Sequence, residues 1–150
     1  MIFTLIVQFS FSFFTTAAFA IITNVPKRSL IACGLTGMLG WMVYWSADSF
    51  GSGDVFATFL GAFTVALASY YFSKHKRLPV TIFNIPGIVP LVPGSLAYQS
   101  VRNLVLGDYV EAVSFAVRAL MIAGAIAAGL VLSEVFNHNI RNFREKKEKF

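Results

Sequence analysis

Residues 2–23 pass without a single charged side chain. A helix of 22 such residues, rising about 1.5 Å per residue, is long enough to cross the ~30 Å hydrocarbon core of a bilayer. Apolar runs recur at residues 30–46, 55–73 and 112–136, and another at 80–106 is apolar yet interrupted by proline and glycine. In lipid the backbone must satisfy its own polar groups, so runs of this length read as helices. Composition agrees, with 57% hydrophobic and 13% charged residues, against roughly 45–50% and ~25% in soluble domains. The predicted fold is all-α, a polytopic membrane helix bundle of about five transmembrane helices. Its fourth span is discontinuous at a Pro/Gly-rich break.

The predicted bundle occupies residues 1–136, with spans at about 2–23, 30–46, 55–73, 80–106 and 112–136, and residues 137–150 form a basic cytoplasmic tail. Ala18-Phe19-Ala20 resembles a cleavage site for a secretory signal. No basic segment precedes it, however, and Ile21 and Ile22 continue the apolar run, so a retained spanning helix is expected. The lone cysteine, Cys33, lies inside a run, which rules out a disulfide within the chain and reads as a small buried packing residue.

The net charge of +5 does not form the stripe that nucleic acid would need. Ten of the twelve cations fall in alternate gaps: Lys27 and Arg28, then Lys74, Lys76 and Arg77, then Arg141, Arg144, Lys146, Lys147 and Lys149. The intervening gaps hold Asp48, Asp54, Asp108 and Glu111 without a cation. The positive-inside bias then predicts an outside N-terminus and a cytoplasmic C-terminus. This segregation works only if residues 80–106 change sides, which favours a crossing over a re-entrant loop. Small residues at helical spacing are expected at helix contacts: Gly34, Gly37 and Gly40, then Ala57 and Gly61, then Gly124 and Ala128.

Phe83 to Ser95 reads Phe-Asn-Ile-Pro-Gly-Ile-Val-Pro-Leu-Val-Pro-Gly-Ser. Pro86, Pro90 and Pro93 each lack an N–H, and Gly87 and Gly94 add backbone freedom, so unwinding is expected from Pro86 to Gly94. A half-helix is expected to start near Ser95, with Ser95 as its N-cap, and to direct its positive end at a carboxylate near mid-membrane. A proline-kinked structural helix is the competing reading. Around the break, Asn84, Ser95, Tyr98, Gln99 and Asn103 are neutral polar groups. Asn84 either contacts a ligand or satisfies backbone that Pro86 leaves unpaired.

Arg102 and Arg118 lie inside apolar runs, and an intramembrane guanidinium needs a partner: a substrate carboxylate, a protein carboxylate, or the headgroups by snorkelling. The candidate substrate-binding set is Asn84, Pro86, Gly87, Pro90, Pro93, Gly94, Ser95, Gln99, Arg102 and Arg118. Glu134, near the inner end of the last run, is a further proton or ion candidate, although an acid at a helix end is usually solvated. His75 and His138 carry no special expectation. The sequence has no Ser/His/Asp constellation, paired membrane carboxylates or phosphate-binding glycine loop, so no enzymatic activity, metal or cofactor is expected.

The Pro-Gly-Ile-Val-Pro-Leu-Val-Pro-Gly stretch at 86–94, with the early Asn-Val-Pro-Lys-Arg turn at 24–28, resembles the threonine/serine exporter family, specifically its second-half or small-subunit domain. The resemblance covers nearly the whole chain. It implies an inner-membrane exporter domain that works with a second five-span subunit. The solutes it implies are amino acids of the threonine/serine type or succinate-type dicarboxylates. It implies export coupled to the proton gradient, with the pathway at Pro86, Gly87, Pro90, Pro93 and Gly94. The expected function is therefore a membrane subunit of a secondary exporter of small carboxylate-bearing metabolites, moving by alternating access within the lipid bilayer. A structural or assembly subunit without its own substrate site, and a homo-oligomeric channel, are the alternatives.

Overall fold

The computed structural model describes residues 2–147, with side-chain environments for residues 3–138. The order is α1 (Ile2–Ile22), a 3₁₀ turn (Lys27–Ser29), α2 (Leu30–Ser49), α3 (Asp54–Lys76), α4 (Thr81–Ile88), a second 3₁₀ turn (Val89–Leu91), α5 (Gly94–Leu106) and α6 (Tyr109–Lys147). No strand occurs among the described residues. Four helical segments are long and apolar enough to cross a membrane, and the pair Thr81–Leu91 and Gly94–Leu106, bent by 52°, makes up to five. The fold is a multi-pass membrane bundle, as the apolar runs require.

Local chemistry fixes the turns. Asn24 takes the left-handed conformation at φ 55°, while Val25 N–H donates to the Ala20 carbonyl at 3.0 Å and Asn24 N–H to the Ile21 carbonyl at 3.0 Å. This paired closure caps α1. Gly107, at φ 86°, ends α5 in the same manner, with Asp108 N–H donating to the Asn103 carbonyl at 3.0 Å. Asp108 then starts α6, its carboxylate accepting from the Glu111 N–H at 3.3 Å. Inside the spans, hydroxyls donate to the carbonyl four residues back: Thr16 to Ser12 at 2.8 Å, Thr36 to Ala32 at 2.8 Å and Thr58 to Asp54 at 2.6 Å. Polar residues therefore enter the apolar interior without leaving these groups unpaired.

Helix α2 packs against α1 and α3, α3 against α6, and α4 wedges against α2 and α3, while α5 packs principally on α6. One core gathers Ala62, Val65, Leu91, Ile122 and Ile126, and a second gathers Ala20, Ala32, Cys33 and Phe83. Small residues set the approaches. A Cβ on Gly34 would meet the Phe13 ring, one on Gly37 would meet Thr16, and Gly61 faces the Gly40 carbonyl.

Helix α6 departs from the expected register. Gly124 faces open space and Ala128 is exposed, whereas Ala125 and Gly129 are buried, with a Cβ on Gly129 falling 2.8 Å from the Phe59 carbonyl oxygen. Small residues occur on several sides of this helix, so composition alone does not select its packed face. The helix also continues beyond the apolar run, from Asn137 to Lys147.

Candidate functional site

The break is shorter than the sequence suggests. Pro86 stays within α4, the chain tightens to a 3₁₀ turn at Val89–Leu91, and only Val92 and Pro93 separate that turn from α5. Each proline withdraws a donor from the carbonyl four residues earlier. For Pro86 that carbonyl is Ile82, and the Cys33 thiol of α2 donates to it at 3.4 Å. For Pro90 it is Pro86, which accepts from Val89 N–H, and for Pro93 it is Val89, which accepts from Val92 N–H at 3.3 Å. These bonds account for all three carbonyls. Asn84 is therefore not needed for repair, and its side-chain oxygen is buried and unpartnered.

The two halves of the broken segment occupy different surroundings. Phe83, Pro86, Gly87 and Leu91 are buried, and a Cβ on Gly87 would lie 2.8 Å from Val65 Cγ1 and 2.9 Å from Thr36 Cγ2. Beyond the bend, Gly94 and Ser95 are exposed, with nothing within 4 Å of a Cβ on Gly94, and α5 has no buried residue. Pro93, not Ser95, precedes the first turn of α5, and no side chain caps it. Pro90, Pro93 and Gln99 are half-buried, and Arg102 is exposed.

A cavity of about 430 Å³ lies beside the first half of this segment. Helix α3 contributes Ala66 and Tyr70, α4 contributes Thr81 and Asn84 after Val80, and α6 contributes Leu130, Val131, Ser133, Glu134, Asn137 and His138. Its size falls in the range of small-molecule sites, and its apolar wall carries a few convergent polar groups. Asn137 Nδ2 donates to Ser133 Oγ at 3.5 Å, and Lys74 Nζ sits 4.6 Å from the centroid of the Tyr70 ring. Asn84 is the one member of the candidate substrate-binding set that lines this space, and Glu134, the proton or ion candidate, lines it as well. The signal for the others was present in α6: Ser133 with Asn137 and Glu134 with His138 are spaced by four residues, which stacks four polar groups along one side of a helix.

Arg118 lies elsewhere. Its guanidinium pairs with the Asp54 carboxylate, joining α6 to the first turn of α3. Of the partners open to it on sequence, the structure selects an acid 64 positions away. The sequence-derived residues thus divide among the cavity, the packed half of α4, the exposed start of α5 and the Asp54 pair.

The model of the family described as Threonine/Serine exporter, ThrE, matches residues 8–136. The chain belongs to the threonine/serine exporter family. Family members with which it shares sequence include the threonine/serine exporter of Corynebacterium glutamicum, 28% identical over 127 residues that cover 85% of this chain and 26% of that protein. The probable threonine/serine exporter of Mycobacterium tuberculosis is 26% identical over 122 residues, 81% of this chain and 23% of that protein. An uncharacterized protein of Haemophilus influenzae is 25% identical over 130 residues, 81% of this chain and 44% of its own length. The chain thus spans less than half the length of each of these relatives. No solved structure matches it. The matched region contains the broken segment, the Asp54–Arg118 pair and most of the cavity wall, so these features belong to an exporter-family membrane domain.

Proposed function

We propose that this protein is a membrane subunit of a secondary exporter for small carboxylate-bearing solutes, either threonine/serine-type amino acids or succinate-type dicarboxylates. The broken α4–α5 span is the moving element of its pathway. The observation that carries this reading is the 52° bend between two apolar half-helices, the first of which also lines the cavity. Discontinuous spans of this kind expose backbone groups to solutes in secondary transporters, and rocking about them alternates access. A straight helix of the 26 residues Thr81–Leu106 would rise about 39 Å, and the 52° bend shortens that to roughly 35 Å, still enough for a crossing. Its proposed working partner is a second five-span subunit. The exposed α5 and the outward side of α6, with Gly124 and Ala128, offer that partner a surface in the inner membrane.

The test is efflux of labelled threonine and succinate from vesicles that carry this chain with its partner. Gly94→Leu places bulk in open space, so the fold should survive while passage at the bend is obstructed. Loss of efflux at normal expression supports the proposal; unchanged efflux in both Gly94→Leu and Pro93→Ala would overturn it.

A further inference from the structure

We infer that the end of the bundle opposite Asp54 binds the phosphate of an anionic phospholipid between two turns, with Lys27 and Arg28 on the first and Lys76 and Arg77 on the second. Such a site does not require the exporter reading. The two turns are far apart in sequence but are joined by packing. Val25 and Leu30, on either side of the first, and Phe72 and Leu78, at the second, all pack against one core of Ala20, Ala32, Cys33 and Phe83. Lys76 follows Phe72 by four residues, which places it on the same side of α3, and it is half-buried. Lys74 takes the other side with Tyr70: its Nζ lies over that ring, 4.6 Å from the centroid.

Arg77 is fixed by its turn. It takes the left-handed conformation at φ 53°, its N–H and that of Leu78 both donate to the Ser73 carbonyl, and the Ser73 hydroxyl donates to the Leu78 carbonyl. Glycine is the usual residue at such a helix end, so arginine serves the turn less well and the guanidinium is left to account for its presence. Among the described residues none of the four cations is paired with a carboxylate, since the one ion pair joins Arg118 to Asp54. Arginine forks match phosphate oxygens in pairs, and lysines add point charge. The surface flanking the first turn says which phosphate. Ile22 and Ile31 are 74% and 69% exposed, so they face acyl chains in a bilayer. A phospholipid sets its phosphate on the cations and its chains along these residues, whereas a soluble phosphate would use the cations alone.

The test uses the full chain in neutral detergent micelles, titrated with dioleoyl phosphatidylglycerol, dioleoyl phosphatidylcholine or glycerol 3-phosphate, with bound ligand counted by native mass spectrometry. Phosphatidylglycerol should bind saturably and at least about tenfold more tightly than either of the others. Arg28→Gln and Lys76→Gln should each weaken it by about fivefold. Arg77→Gly suits the left-handed turn, so it should melt no lower than the parent protein in lipid-free detergent while losing affinity by a similar factor. Lys74→Gln, and Lys146→Gln with Lys147→Gln in the tail, should change affinity by less than about twofold, since these charges lie outside the two turns. Equal affinity for phosphatidylcholine, equal losses in the Lys74 or tail variants, or unaltered affinity in Arg77→Gly would each reduce the patch to unspecific surface charge and overturn the inference. Glycerol 3-phosphate binding as tightly as phosphatidylglycerol would assign the turns to a soluble phosphate and overturn the lipid.

Discussion

The Cys33 thiol of α2 donates to the Ile82 carbonyl of α4 at 3.4 Å, and that carbonyl is the one Pro86 cannot pair. The bond ties the broken span to its neighbour at the first of its three prolines. In lipid no water would replace it. Cys33→Ala is expected to destabilise the protein by up to about 1 kcal/mol, since a thiol is a weak donor but the side chain it belongs to is buried. Cys33→Ser supplies a hydroxyl donor and should recover most of the loss. Thermal melting of the three proteins in one detergent checks this, and equal melting for the alanine and serine variants would show that the cysteine serves only to fill space.

Close packing makes a sharp contrast between glycines. Gly129 and Gly87 have no room for a side chain, whereas Gly124 and Gly94 face open space. Gly129→Ala and Gly87→Ala should each cost about 1–3 kcal/mol by overpacking. Gly94→Ala should shift stability by no more than about 0.5 kcal/mol, and Gly124→Ala, in mid-helix with open space around it, should be neutral or stabilising by up to about 1 kcal/mol. The comparison is made by unfolding each variant in denaturant and comparing midpoints. A destabilised Gly124→Ala would mean that the outward side of α6 is packed against something in the native assembly.

The pairing of Asp54 with Arg118 joins α3 to α6 with side chains 27% and 55% exposed. At that exposure the coupling should be modest, about 0.2–1 kcal/mol in a double-mutant cycle of Asp54→Ala and Arg118→Ala. The exchanged protein, Asp54→Arg with Arg118→Asp, should regain the stability lost by either single charge reversal. If the exchange restores stability and not efflux, Arg118 acts on the solute as well as on Asp54.

Cation segregation predicts a topology that labelling can check. Ser52→Cys, in the loop between α2 and α3, should react with a membrane-impermeant thiol reagent added outside intact cells. Lys76→Cys, at the end of α3, should react only after permeabilisation. The reverse pattern would invert the assignment of the termini.

Asn84 offers a separate probe of the cavity. Its unpartnered oxygen contributes no hydrogen bond to the fold, so Asn84→Ala should leave melting nearly unchanged. Efflux should nevertheless fall, since this residue joins the cavity to the broken span. Unaltered efflux would show that the Asn84 amide is dispensable.

By itself the sequence determined the solvent and the class of fold, because uncharged runs of about 20 residues can pair their backbone groups in lipid only as helices. It also located the break, since three prolines within eight residues remove three donors wherever they fall. The motif at 86–94 was enough to indicate the family. Tertiary structure decided how much of the segment uncoils, because the thiol that accepts the burden of Pro86 lies 49 residues away in sequence. It also decided which side of α6 is packed, which acid meets Arg118, and that Tyr70, Thr81, Asn84 and Glu134 line one space. Those relations depend on how helices distant in sequence are rotated and set against one another, and a helix that is small and apolar on several sides does not carry that rotation in its own periodicity.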